Sequence, residues 1–113
     1  MCIRDRALED LEILSERSPN DPDVLRDYGL ALQKLGQLDA AEQNYNRAIQ
    51  LNDQDGLAYN NRGATLIELG RFEEAIADLE RAIELVPEVP NPYKHLDRAR
   101  EMLSEQSETS ATH

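Results

Sequence analysis

Cysteine is nearly absent: Cys2 stands alone in 113 residues, so no disulfide can form within the chain and the redox compartment stays open. No apolar run approaches the roughly 20 residues that span a bilayer, and the stretch from Met1 holds no apolar segment of the signal type. Aromatic residues are scarce at 4%, which makes the core aliphatic, while 40% hydrophobic residues suffice to build one. Bases are short too, 12 against 23 acids, for a net charge of −11. That balance argues against nucleic acid and against anionic membranes as partners, because both are held by clustered Lys and Arg.

Catalytic material is equally thin. The histidines are His95 and His113, and neither has a partner at metal-ligand spacing. Glu73 and Glu74 are adjacent, and on a helix adjacent side chains diverge by about 100°, so they do not form a carboxylate pair. No glycine-rich phosphate loop appears, because Gly36 and Gly70 are helix breaks spaced by a repeat. No catalytic residue, cofactor or metal is expected.

What the chain does have is repetition. Gly29 recurs as Gly63 and Gly36 as Gly70 at an offset of 34, and at the same offset Leu32, Leu35, Ala41, Arg47, Ala48, Ile49 and Leu51 recur as Leu66, Leu69, Ala75, Arg81, Ala82, Ile83 and Leu85. A fixed period of this length marks stacked supersecondary units, each burying its neighbour's apolar face.

Taken in order, Met1–Arg6 (MCIRDR) back-translates to a string resembling the transposase end sequence used in making sequencing libraries, and is read as adapter on a fragment of a longer bacterial or environmental protein. Residues 7–21 follow the repeat as the second helix of a truncated unit, with Leu8, Leu11 and Leu14 at helical spacing. Residues 22–55 form the first full unit, with Asp21 as N-cap, Pro22 at the first helical position and Gly36 as the left-handed break between two helices. Residues 56–89 repeat it, with Gly70 as the break. Residues 90–103 begin a third unit, but Asp97 and Arg100 replace the small and apolar residues of the earlier copies, which predicts a terminal capping helix. Residues 104–113 carry no periodic apolar residue and are expected to be a disordered tail.

The stretch Ala58–Pro87 resembles a tetratricopeptide repeat almost position for position. The signature places read Leu25, Tyr28, Gly29, Leu32, Ala41, Tyr45, Ala48 and Asp53 in the first unit. In the second they read Tyr59, Arg62, Gly63, Leu66, Ala75, Leu79, Ala82 and Pro87. Asp53 departs from the usual Pro and Arg62 from the usual Leu. The resemblance implies an all-α fold, a right-handed superhelical stack of antiparallel helix pairs (an α-solenoid) with two full repeats, a preceding half repeat and a C-terminal capping helix. Gly29 and Gly63 sit mid-helix, where each costs about 1 kcal/mol relative to Ala, and close approach of the second helix through Ala41 and Ala75 is the expected compensation.

By the same resemblance, the solvent-facing side of each first helix lines a concave groove. The matching positions are Asp23, Arg26, Leu30, Gln33 and Lys34, then Leu57, Asn60, Ala64, Ile67 and Glu68, then Asn91, Lys94, Arg98 and Glu101. Arg26, Lys34, Lys94 and Arg98 place four of the 12 bases there, around an apolar floor of Leu30, Ala64 and Ile67. Such a wall suits a protein or peptide segment bearing carboxylates. Some family members grip acidic chaperone tails with a clamp of Lys and Asn. Asn61 matches one member of that set, whereas Arg26, Leu30, Asn91 and His95 stand where other clamp groups would be, which argues against a chaperone tail. The rival reading is the interaction arm of a larger enzyme such as a glycosyltransferase, sulfotransferase or kinase. Self-association through the apolar N-terminal stripe is a further expectation.

Overall fold

The computed structural model describes residues 6–111, so the adapter reading of Met1–Arg6 lies, Arg6 apart, outside the described residues. The described residues form six helices and no strand: α1 (Arg6–Arg17), α2 (Pro22–Lys34), α3 (Leu38–Leu51), α4 (Gly56–Glu68), α5 (Phe72–Leu85) and α6 (Asn91–Ala111). By contacts the chain divides into two compact units, with the boundary between Gln54 and Asp55. Unit 1 carries α1–α3 and unit 2 carries α4–α6.

Local chemistry sets the helix ends. Asp21 caps α2, its carboxylate accepting from the backbone N–H groups of Asp23 (3.0 Å) and Val24 (3.4 Å), with Pro22 behind it. One period on, Asp55 does the same for Leu57 (3.1 Å) and Ala58 (3.4 Å) at the start of α4. At the other end Gly36 and Gly70 take φ of 81° and 80°. The Gly36 and Gln37 amides donate to the carbonyls of Gln33 and Leu32, both at 2.9 Å, and Gly70 and Arg71 repeat the pattern on Ile67 and Leu66. Carbonyls that the helix leaves orphaned are thereby satisfied, and the chain reverses into the next helix.

In unit 1, α2 packs on α3 around Leu32, Ala41 and a fully buried Tyr45, whose hydroxyl donates to Gln33 Oε1 at 2.8 Å. Arg47 on α3 donates to Asn20 Oδ1 at 2.8 Å in the turn after α1. In unit 2, α5 lies against both α4 and α6, and the core joins Leu66, Ile67, Phe72, Ala75, Leu79, Leu96 and Ala99.

The residues opposite the mid-helix glycines are only partly those expected: a Cβ on Gly63 would stand 3.4 Å from the backbone oxygen of Ala75, but the nearest atoms belong to Tyr45 and Leu79. A Cβ on Gly29 would stand 2.7 Å from Tyr45 Cε1, and one on Gly63 would stand 2.7 Å from Leu79 Cγ. Ala41 and Ala75 do share that face. Helical side chains, however, lean toward the N-terminus, so Tyr45 and Leu79 reach back over the turn holding the alanines and cover the glycines.

The tail differs as well. The boundary at Leu103 lies inside α6, which continues through Ser104 to Ala111. Glu105, Gln106, Glu108 and Ala111 favour helix, no Gly or Pro interrupts, and extending a helix that already exists avoids the cost of nucleation.

Candidate functional site

The candidate residues of unit 1 all lie on α2. Lys34 is exposed and Leu30 half-buried. Arg26 faces Asp23 at 3.4 Å and Asp27 at 3.5 Å, so its charge is largely answered on its own helix. Gln33 is the acceptor for Tyr45, which ties its amide to the core.

In unit 2 the candidates separate into two groups. Asn60 and Ile67 are only 5% and 6% exposed, which corrects their placement on a solvent-facing wall. Seven residues apart, they share one face of α4, and α6 lies over it. Ile67 joins Leu96 and Ala99 in the core, and Asn60 Oδ1 meets His95 Nδ1 at 3.0 Å. Asn61 and Ala64 remain half-buried on α4, with Leu57 and Glu68 exposed on the same helix. Lys94 and Arg98 stand exposed on α6, one turn apart.

His95 was legible only as a place where a clamp would want a basic group, and the structure makes it part of this face. Burial is the larger influence on its ring and pushes the pKa below the ordinary 6.5; the Arg98 cation pushes the same way, and Glu68 opposes both. Its tie to Asn60 had no sequence signal, because the two residues are 35 apart on helices of different repeats.

A second arrangement also escaped sequence reasoning. Arg62 on α4 forms a two-pronged ion pair with Asp78 on α5, Nε to Oδ2 and a terminal nitrogen to Oδ1, each at 2.7 Å. The guanidinium also lies 5.6 Å from the centre of the Tyr59 ring. Away from these residues, an open hollow of about 220 Å³ is lined by Gly70–Glu74, Leu103 and Gln106. Among the described residues no group of three or more His, Cys, Asp or Glu is placed to hold a metal ion, and no helix is long and apolar enough to cross a membrane.

Two family models match: one described as tetratricopeptide repeat over residues 56–89, the other as TPR repeat over residues 29–70. The chain is 37% identical over 71 residues to Hsp70-Hsp90 organizing protein 1 of Glycine max, a match covering 63% of this chain and 12% of that protein. It is 31% identical over 115 residues to Protein O-mannosyl-transferase TMTC1 of Homo sapiens, covering 96% of this chain and 13% of that protein. The chain thus spans only a small part of these curated relatives. A solved structure described as the first TPR of Spaghetti (RPAP3) bound to HSP90 peptide SRMEEVD superposes with a TM-score of 0.82 at 28% identity, covering 86% of this chain and 77% of that one. With the 34-residue period, the paired helices and the glycine breaks accounted for, these matches carry one conclusion: the chain belongs to the tetratricopeptide-repeat family and has its all-α fold.

Proposed function

We propose that this chain is a non-catalytic interaction module for a carboxylate-bearing peptide or protein segment, and that the α4–α6 face of unit 2 receives it. The carrying observation is the pair of exposed cations on α6. Arg26, Arg62, Arg71, Arg81 and Arg100 all face acids. Lys94 and Arg98 form no ion pair among the described residues, although the chain holds 23 acids. Two unanswered cations one turn apart suit incoming carboxylates, and half-buried Asn61 and Ala64 supply an amide and a small apolar surface on the neighbouring helix.

The comparisons support this reading. The ligand named for the RPAP3 structure, SRMEEVD, contains two Glu and one Asp. Leu30 and the internally paired Arg26 nevertheless differ from a Lys and Asn clamp, so the proposed ligand is an acidic segment in general, with no preference for a chaperone tail.

Anisotropy with labelled SRMEEVD, against a copy carrying Gln and Asn in place of its acids, tests this. The acidic peptide is expected to bind, the amide copy to bind far more weakly, and Lys94→Ala/Arg98→Ala to lose roughly tenfold in affinity. Equal affinity for the two peptides overturns the reading. A second reading, an interaction arm appended to a larger enzyme, is supported by the match to the O-mannosyl-transferase; genomic sequence on either side of this segment separates the two.

A further inference from the structure

We infer that binding at the α4–α6 face takes up a proton: a carboxylate seated beside Lys94 and Arg98 is received together with a proton drawn from solvent onto Nε2 of His95, which becomes the third cation of the site. The inference rests on the peptide-binding reading above and adds to it a residue and a pH dependence.

The geometry defines which nitrogen titrates. Asn60 Oδ1 only accepts, so the ring nitrogen 3.0 Å away, Nδ1, carries hydrogen and donates whether the ring is neutral or charged. Protonation therefore falls on Nε2. Asn60 is buried and need not move, so the ring changes charge without changing its anchor.

Arg98 lies three residues along α6 from His95, on the same side of the helix, and Lys94 lies one turn before Arg98. In the free protein the ring has reasons to stay neutral. It is half-buried, and Arg98 on its own helix repels a second positive charge, while Glu68 of α4 pulls the other way. Those two are the charged groups acting on the ring among the described residues, and α5, also packed on α6, adds none.

A ligand carboxylate pairing with Arg98 cancels the repulsion and adds an attraction of its own. Both changes favour imidazolium. By linkage, whatever raises the proton affinity of the ring on binding must also raise peptide affinity as pH falls through the window between the free and bound titration midpoints.

Nuclear magnetic resonance of the His95 ring in the full chain, titrated from pH 8 to pH 5 with and without saturating SRMEEVD, reads this directly. The midpoint is expected to rise by about one unit in the complex, and peptide affinity to rise up to about tenfold across the range. His95→Gln, whose amide can still donate to Asn60, should bind the peptide with nearly the same affinity from pH 8 to about pH 6, above the range in which the ligand's own carboxylates take up protons. Peptide that binds while the His95 midpoint stays or falls overturns the inference and leaves the peptide-binding reading standing. The same holds if His95→Gln keeps the pH dependence. Failure of the peptide to bind at any pH takes down both.

Discussion

Arg62 occupies a position where the family usually has Leu, and the structure shows what makes the change tolerable. Its side chain is 22% exposed, and the Asp78 side chain that answers it is 9% exposed. A carboxylate so little hydrated depends on its partner, because removing one member of a buried pair leaves the other charged and desolvated. Asp78→Ala is expected to cost about 2 kcal/mol, and Arg62→Leu to cost a similar amount by stranding Asp78. Combined, they should cost less than their sum by about 1–2 kcal/mol, since the second change removes a group already unpaired. Urea midpoints that add without a coupling energy would show that the pair contributes nothing jointly. The departure at Arg62 was visible in the sequence, but its partner was not. The one available signal is that unit 1 has Tyr28 and Asn44 where unit 2 has Arg62 and Asp78, so both ends of the pair change together between copies.

Helices were the most legible level, and for physical reasons. Asp21 and Asp55 before the helices, and Gly36 and Gly70 after them, act through bonds to backbone a few residues away, which sequence spacing reports well. Contacts between helices were less legible: the lean of Tyr45 and Leu79 over the glycines and the cover that α6 gives Asn60 and Ile67 depend on how elements pack. The end of α6 was missed because an absence of apolar period was equated with an absence of helix. The same element distinguishes two substitutions at equivalent repeat positions. Gly63 faces Leu79 with no room for a Cβ, whereas Asp97 on α6 is exposed. Gly63→Leu should therefore lower stability by about 3 kcal/mol or more through overpacking, and Asp97→Leu should stay within about 0.5 kcal/mol of the parent. Equal shifts in the urea midpoint would mean that α6 buries this face in solution.

At the scale of the molecule, the division into two units and the charge of −11 frame how the protein responds to its medium. His95 binds its proton less readily when folded than the ordinary value of 6.5 implies. As pH falls below about 6.5 the unfolded chain takes up a proton that the folded ring resists, so stability is lost from there down to the lowered folded value. The thermal midpoint of the free chain should thus drop between pH 7.5 and pH 5.5, and His95→Gln should flatten the slope; a midpoint that rises on acidification would reverse the sign assigned here. Saturating peptide should oppose the drop, because it favours the protonated ring. Tyr45 carries one more consequence, an optical one. The chain has no tryptophan, so its near-ultraviolet signal comes chiefly from four tyrosines. Only Tyr45 among them is fully shielded from solvent, deep in unit 1, and one period later Leu79 fills the corresponding place in unit 2. The interior of unit 1 therefore carries its own chromophore, while the interior of unit 2 holds no tyrosine and is nearly dark at those wavelengths.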